Sequence, residues 1–472
     1  MWDDVEEAET VRVPVVAGVG VVAVIGLGRV GLPLALQCAG RGWRVLGCDI
    51  DPRVVESVKS GRAPASEEAE LESELPGLVE RGHLTATLNT AEAVAHANVV
   101  IVTVPLQTDE SHQVGFQDLD AVTETIGRAL QQGTLVSYET ALPVGTTVGR
   151  LQGKLESCSG LDASRSFYLA SSPARVSPGH VLRDLRTFPK IVGGLDARSA
   201  QAAQAFYRSI LPTEVISVAS PTEAEFVTLI EAIYRDVNIA LANQFACYAD
   251  EHGLDVRAAI AAANTRNFVH IHQPGVGVGG HALPVYPYLL INDGLADMPE
   301  DEQGSAPHLD LARKARQIND GMAEYAVQRI EAAAGSLWHR SVLLLGAAYR
   351  PDVRETAFSS TYLLQAALWR RGATVYVDDP LYSPADLHAL GFQPLPPARE
   401  NEIDAIILQT AHRTYQSFDF RRFVRCRILL DGRNALARTQ VEEAGLRYMA
   451  LGDGIEDAAH CVVPTREDAR MC

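Results

Sequence analysis

Two glycine-rich stretches carry the residues with the clearest chemical potential. The first begins with an apolar segment, Val21–Ile25, which runs into Gly26-x-Gly28-x-x-Gly31 and then an apolar helical pattern. A second apolar segment, Arg44–Cys48, follows and ends at Asp49, 23 residues after the first glycine. In that order the glycines permit a tight turn and close approach of backbone amides to a pyrophosphate. The helix N-terminus stabilises the phosphate charge, and the acid accepts from ribose hydroxyls. Strand, turn, helix, strand and acid together predict a dinucleotide-binding unit. Asp49, with no arginine directly after it, favours NAD over NADP. The second stretch, PGVGVGGHALPVYPYLL at residues 274–290, holds Gly275-x-Gly277-x-Gly279-Gly280 followed by His281. Its glycines predict a backbone loop that closely approaches a ligand, and His281 is the best-placed acid/base because imidazole titrates near neutral pH. No Walker lysine follows the run, so a P-loop reading fails. No His/Cys/carboxylate cluster has metal-ligand spacing, and no Ser-His-Asp set can be argued.

The elements that must position these residues alternate. The unbroken apolar run within Asn98–Val104 predicts a buried parallel strand, and Thr134–Glu139, Phe167–Ser171 and Lys190–Val192 predict others. Helical segments such as Asp196–Leu211 lie between them. The expectation is a doubly wound α/β domain over residues 1–215. From Pro221 the character changes: Thr222–His252 contains no proline or glycine and has apolar residues at helical spacing, which predicts one long helix bounded by Pro221 and Gly253. Asp255–Asn264 begins another. Residues 216–308 form a central helical segment that carries the second glycine loop and a dimer contact, and the polar stretch Asp293–Pro307 reads as a loop or linker. After a helix around Leu309–Ala333, residues 309–472 repeat the α/β pattern, with strands at Ser341–Leu345, Thr374–Val377, Ala405–Gln409 and Arg427–Leu430. The tail beyond about Asp457 is expected to be loosely held. The fold class is α/β: two Rossmann-like, doubly wound parallel-sheet domains joined by a long central helix.

Composition narrows the function classes. The chain has 472 residues, 47% of them hydrophobic and 21% charged, as expected of a soluble globular protein with two or three cores. A net charge of −18 disfavours nucleic acid and anionic membranes as partners. The apolar run Val11–Ile25 is interrupted by Arg12 and Pro14 and reads as a strand, not a span. The acidic N-terminus lacks the basic region of a signal peptide. Seven cysteines (38, 48, 158, 247, 426, 461 and 472) are scattered without a C-x-x-C pair, as in reduced thiols of a cytoplasmic protein. Lysine occurs only at 59, 154, 190 and 314 among 41 basic residues, which leaves few candidates for a lysine-dependent mechanism.

The order and spacing of several strings give the chain a specific likeness. The fingerprint Gly26–Gly31 with Asp49, Pro143–Thr147, Ser172–Gly179 (SPARVSPG), Tyr234–Asn243 and Arg316–Asp320 (RQIND) are five of them. Leu345–Asp352, Asp379-Pro380, Asp431–Asn434 (DGRN) and the 274–290 loop complete the set. Together they resemble the UDP-glucose/GDP-mannose dehydrogenase family over nearly the whole chain. The G-G-H variant of the loop is most similar to the N-acetylhexosamine type. The resemblance implies a UDP-sugar substrate oxidised twice at an alcohol carbon with NAD. It implies a cysteine nucleophile, a lysine and an asparagine that stabilise an oxyanion, and an aspartate that supports proton transfer. It also implies cofactor contacts by Arg29 and Val30 within the first loop, and by Pro105 and Thr140 beyond the third and fourth strands. Arg175, Arg235, Asn238, Gly279, Gly280 and Arg354 would line a substrate pocket, and His180, Tyr288 and Arg313 lie in or beside the same motifs.

The sequence departs from that pattern at the positions tied to chemistry. Ala282 occupies the cysteine position and Tyr286 that of the aspartate. Thr228 and Ala232 stand for the lysine and asparagine, Ala174 for a glutamate and Ala141 for a threonine. In the V-P-T-P loop Leu106 and Gln107 replace threonine and proline, and the motif at Tyr349–Thr356 is shortened without its acidic pair. Candidate groups that remain are His281, Tyr286 and Glu231. The expected function is an NAD-binding homologue without the two-step alcohol-to-acid machinery, repurposed for a single hydride transfer or a non-redox step on a small, nucleotide-sugar-like substrate. The alternatives are a catalytically silent regulatory partner and residual alcohol-to-aldehyde oxidation of a UDP-sugar. The chain is expected to be a cytoplasmic homodimer paired through the central helix.

Overall fold

The computed structural model describes residues 20–64, 68–109, 112–292 and 309–454. The expectations for the acidic N-terminus, the 293–307 linker and the tail beyond 457 lie outside these residues. The chain divides into two compact units between Ile230 and Glu231.

In the first unit the chain runs through β1 (Val21–Ile25), α1 (Gly31–Gly40), β2 (Arg44–Cys48), α2 (Pro52–Lys59), α3 (Ala69–Glu80), β3 (Leu84–Thr87), α4 (Thr90–Ala95) and β4 (Val99–Val102). A short hairpin, β5 (Gln107–Thr108) with β6 (Val114–Gly115), precedes α5 (Gln117–Ala129) and β7 (Leu135–Tyr138). Then come α6 (Gln152–Ser159), β8 (Tyr168–Ser171), α7 (Val181–Thr187), β9 (Lys190–Gly194), α8 (Ala197–Ile210) and β10 (Val215–Val218). Eight strands form one sheet in the order β10-β9-β8-β7-β4-β1-β2-β3. Every neighbouring pair is parallel except β8 and β9, which are antiparallel. The strand order reverses between β1 and β4, which is where ligands of open α/β sheets bind. β4, β7 and β8 are buried at every position, as strands covered by helices on both faces must be. Asp51, Asn89 and Asp196 cap α2, α4 and α8 through their side chains. The strand expected over 98–104 closes at Val102, and the following residues bend into the candidate site. The sheet also continues past residue 215, because β10 lies on its edge with only Val215 buried.

A single helix, α9 (Pro221–His252), runs from the first unit into the second. The second unit continues with α10 (Val256–Ala263), α11 (Tyr286–Ile291), α12 (Asp310–Ala334), β11 (Ser341–Leu345), α13 (Ser360–Arg370), β12 (Thr374–Asp378) and α14 (Pro384–Ala389). It ends with β13 (Ala405–Leu408), β14 (Ile428–Asp431), α15 (Arg438–Glu443) and β15 (Arg447–Ala450). The five strands are parallel in the order β12-β11-β13-β14-β15, again with a reversal, here between β11 and β13. β15 was not anticipated: its apolar run is short and follows a helix of only six residues. No helix of the described residues is long and apolar enough to cross a membrane.

Candidate functional site

The turn between β1 and α1 has the geometry its glycines predict. Gly26 has φ +94°, in the left-handed region. A Cβ on Gly31 would lie 1.9 Å from the Gly26 carbonyl oxygen, so only glycine lets α1 start this close to the strand. At Gly28 an added Cβ would meet nothing within 4 Å, so this glycine keeps space open on the ligand side. Arg29 and Val30 complete the turn, Val30 being the last residue before α1. The Thr103 hydroxyl, just past β4, lies 3.0 and 2.9 Å from the carbonyl oxygens of Ile25 and Gly26, which ties the turn to the strand across the reversal point. Pro105 is exposed beyond it, and the buried Thr140 donates its hydroxyl to the Val104 carbonyl at 2.7 Å.

Asp49 ends β2 with both oxygens oriented. Oδ2 accepts from the Leu27 amide at 2.8 Å and Oδ1 from the Asp51 amide at 3.0 Å, and each oxygen keeps a further lone pair for a ligand hydroxyl. Arg53, the arginine nearest Asp49 in sequence, is held by both carboxylate oxygens of Asp51 at 2.7–3.1 Å. Two apolar side chains stand in water beside the acid. Ile50 is 94% exposed and Leu88 55%, and the pairing of Cys48 with Thr87 leaves them just beyond neighbouring strand ends. Sequence reasoning missed both; an isoleucine directly after a strand-terminal acid was the available signal. Open space at Gly28, the helix start at Gly31 and the oriented Asp49 fit a dinucleotide.

In the second unit the glycine loop is pinned by a buried polar network. The Gly275 amide donates to Asn243 Oδ1 (2.9 Å), Asn243 donates to Asn319 (2.9 Å), and Asn319 donates to Asp236 Oδ1 (2.8 Å). Arg316 donates to Asp236 Oδ1 (2.6 Å) and lies 3.4 Å from the Leu283 carbonyl. Burial pushes the Asp236 carboxyl up, and the Arg316 charge opposes that. From the other side Arg433 donates to the carbonyls of Gly277 (3.1 Å) and Gln409 (2.6 Å), its guanidinium lowered to about 10 by burial. Gly277 and Gly280 have φ +132° and +102°, and a Cβ on Gly279 would lie 2.5 Å from the Cβ of Tyr349. The RQIND and DGRN strings therefore hold the loop, a role that spacing along the chain did not disclose.

His281 follows this loop, 59% exposed at its side chain, with Nε2 at 3.1 Å from Glu355 Oε2. Glu355 Oε1 accepts from the Ala357 amide (3.0 Å), and the Gly280 amide donates to the Ala357 carbonyl (2.8 Å). The imidazole is thus oriented by a carboxylate that is itself held, an arrangement suited to moving a proton at the other ring nitrogen. Glu355 was not among the sequence candidates. The Ala282 carbonyl accepts from the amides of Val285 and Tyr286, which starts α11, and burial raises the Tyr286 phenol.

The remaining candidates are dispersed. Glu231 and Arg235 are exposed on α9. Arg235 lies near His272, whose pKa is lowered first by burial and then by that charge. Asn238 joins the His270 carbonyl (2.7 Å) to the His272 amide (2.8 Å). Arg354 donates to the Leu381 carbonyl at 3.0 Å, pairs with Asp386 at 3.0 Å and covers the Tyr382 ring, so its guanidinium is engaged near the end of β12. In the first unit Arg175 donates to the Pro189 carbonyl at 2.8 Å. The end of β12 also repeats the Asp49 device. Asp379 Oδ2 accepts from the Ala347 and Ala348 amides, Oδ1 from the Leu381 amide, and Gly346 has φ +102°.

Comparison with known proteins places these features in one lineage. Residues 21–211 match the NAD binding domain of the UDP-glucose/GDP-mannose dehydrogenase family, 222–320 its central domain and 343–438 its UDP binding domain. The UDP-N-acetyl-D-mannosamine dehydrogenase of Pyrococcus horikoshii is 32% identical over 442 residues, which is 92% of this chain and 99% of that protein. The chain belongs to the UDP-glucose/GDP-mannose dehydrogenase family. The UDP-N-acetyl-D-glucosamine 6-dehydrogenase of Pseudomonas aeruginosa is 32% identical over 405 residues, covering 84% of this chain and 91% of the relative. The structure of the Pyrococcus horikoshii enzyme aligns with a TM-score of 0.81 at 31% identity, over 92% of this chain and 99% of the other. A UDP-glucose dehydrogenase from Pyrobaculum islandicum gives a TM-score of 0.81 at 25% identity, with coverages of 92% and 98%. This member of the family therefore has an NAD-binding domain, and the glycine turn with Asp49 is the part of it that fits the dinucleotide.

Proposed function

We propose that this family member binds NAD and a nucleotide-sugar-like small molecule, and that its redox chemistry stops after one hydride transfer or is replaced by a non-redox step. NAD, when bound, supplies a hydride acceptor. The reading rests on the turn at Ala282, where the family resemblance calls for a cysteine and the side chain is a methyl group. Among the described cysteines, Cys158 is the one not buried, and it lies on α6 of the first unit, away in sequence from the 274–290 loop. Cys38, Cys48, Cys247 and Cys426 are buried, and burial raises the thiols of Cys48, Cys247 and Cys426 to about 12, far from the thiolate a nucleophile needs. Thr228, Ala232 and Tyr286 at the other chemistry positions point the same way. His281, held by Glu355, is the group best suited to accept a hydroxyl proton; Tyr286 and Glu231 are secondary candidates. Gly279, Gly280, Arg175, Arg235, Asn238 and Arg354 are the proposed substrate-side residues.

A silent partner role is the second reading, for which the central helix would supply the contact. Tyr234, Leu241, Phe245 and Tyr248 recur at helical spacing on α9 and are 41–61% exposed, an apolar stripe that supports pairing with a second copy or with an active homologue. The deciding experiment incubates the purified protein with NAD and UDP-N-acetylmannosamine or UDP-N-acetylglucosamine and counts NADH formed per sugar consumed. One equivalent with an aldehyde as the product, or none with the sugar converted without oxidation, is expected. Two equivalents with a uronic acid product would refute the proposal. NADH binding without any turnover would favour the silent reading.

A further inference from the structure

Lysine is scarce in this chain, and one of its four lysines is sealed inside the first unit. Lys190, the first residue of β9, has a side chain 5% exposed and faces the fully buried carboxylate of Glu139. Its ammonium contacts Glu139 Oε2 and donates to the Ser172 carbonyl at 2.8 Å, with the Pro173 carbonyl at 3.5 Å. Three acceptors in a small volume suit a compact ammonium with three protons, whereas a planar guanidinium would need a wider site. Glu139 is further held by the Tyr207 hydroxyl at 2.7 Å, which also lies 2.8 Å from Ser137 Oγ.

The pair sits where two loops meet. Glu139 directly follows β7; its amide donates to the Val102 carbonyl at the end of β4, and its carbonyl accepts from the Ala174 amide. The next residue, Thr140, holds the Val104 carbonyl before Pro105. On the other side Lys190 fixes the Ser172–Pro173 carbonyls, while the Pro189 carbonyl accepts from Arg175. The antiparallel pairing of β9 with β8 brings the start of β9 to the same end of the sheet as the ends of β4 and β7. A dinucleotide bound at the β1/β4 reversal has its pyrophosphate on the α1 turn and its adenosine toward Asp49, so its other end extends over β4 and β7.

We propose that Lys190 and Glu139 form a positioning pair that fixes the Val102–Pro105, Thr140 and Ser172–Arg175 segments together and so sets affinity for the nicotinamide half of NAD. The inference uses the NAD-binding domain and is independent of the turnover proposed above.

The test titrates NADH and ADP-ribose into wild type, Lys190→Met, Glu139→Gln, the Lys190→Met/Glu139→Gln double variant and Tyr207→Phe, with thermal unfolding of each. The singles leave a buried partner uncompensated and lose stability, whereas the neutral double variant recovers it. NADH affinity of the double variant is expected to stay about tenfold below wild type, as a displaced binding surface requires, while ADP-ribose affinity is unchanged. Tyr207→Phe removes the hydroxyl that orients Glu139 toward Lys190 while leaving the ring and both charges in place, so it is expected to loosen the pair and weaken NADH but not ADP-ribose. A merely structural pair would restore NADH affinity along with stability, and a damaged domain would weaken both ligands equally; either result overturns the proposal. Failure of the wild type to bind NADH would overturn it too, and would show in the wild type alone, whereas the turnover proposal fails on NADH stoichiometry. If the Lys190 variants do not fold, wild-type NADH affinity in Tyr207→Phe overturns it.

Discussion

Replacing Asp49 with alanine isolates the group that ends β2. Its two oxygens are preset by the Leu27 and Asp51 amides at 2.8 and 3.0 Å, so a ribose meets a carboxylate already oriented, with lone pairs available on both oxygens. A hydrogen bond to a charged group contributes about 1.5–3 kcal/mol. Loss of that contribution corresponds to about a tenfold to a hundredfold rise in the NADH Kd. The same carboxylate opposes a 2′-phosphate. Like unit charges about 4 Å apart repel by about 4 kcal/mol at an effective dielectric constant of about 20. Even with half of that screened by solvent, NADPH should bind wild type at least about thirtyfold more weakly than NADH. Arg53, the arginine nearest Asp49 in sequence, pairs with Asp51 at 2.7 Å. Fluorescence titration of wild type and Asp49→Ala with both cofactors reads these values directly. Wild type that binds NADPH as tightly as NADH, or Asp49→Ala with unchanged NADH affinity, would refute the assignment.

Three further outcomes follow from the same structure. Arg316→Met leaves the Asp236 carboxylate buried without its cation and should destabilise the second unit by about 3–5 kcal/mol, read by urea unfolding, with Arg316→Met/Asp236→Leu recovering most of the loss. The His272 imidazole is held below its ordinary pKa by burial and by the Arg235 charge, so the unfolded chain takes up a proton that the native chain resists. Its contribution to stability is full above the ordinary histidine value and is lost as pH falls through the lower native value; His272→Gln should flatten that acid-side fall in Tm. Phe245→Glu places a charge in the exposed stripe of α9 and should leave a monomer in sedimentation equilibrium if the stripe pairs two copies. An unchanged oligomer would remove the stripe from the interface.

The cofactor half was legible from residues 21–49 because every part of that unit is local. A positive-φ glycine, a helix start and an acid at the end of the next strand must occur in one order, so Gly26, Gly28, Gly31 and Asp49 could be named without coordinates. The long helix was legible for a similar reason: 32 residues that begin at Pro221 and stop before Gly253 leave few alternatives. Strand ends were less legible: β4 closes at Val102, and the Thr103 hydroxyl that follows it is tied to the Ile25 and Gly26 carbonyls, a contact local pattern does not disclose.

What the sequence by itself determined is the lineage, the dinucleotide turn and the identity of the residue at 282. The tertiary structure decided which side chains act together, because that depends on contacts between residues far apart in the chain. Glu355 reaches His281 across 74 positions and Lys190 reaches Glu139 across 51. Asn243, Asn319, Asp236 and Arg316 form one network only once α9 and α12 pack around the glycine loop. A pattern along the chain reports local backbone requirements; partnership between distant polar groups arises from burial, which obliges each of them to find a donor or acceptor wherever the fold supplies one.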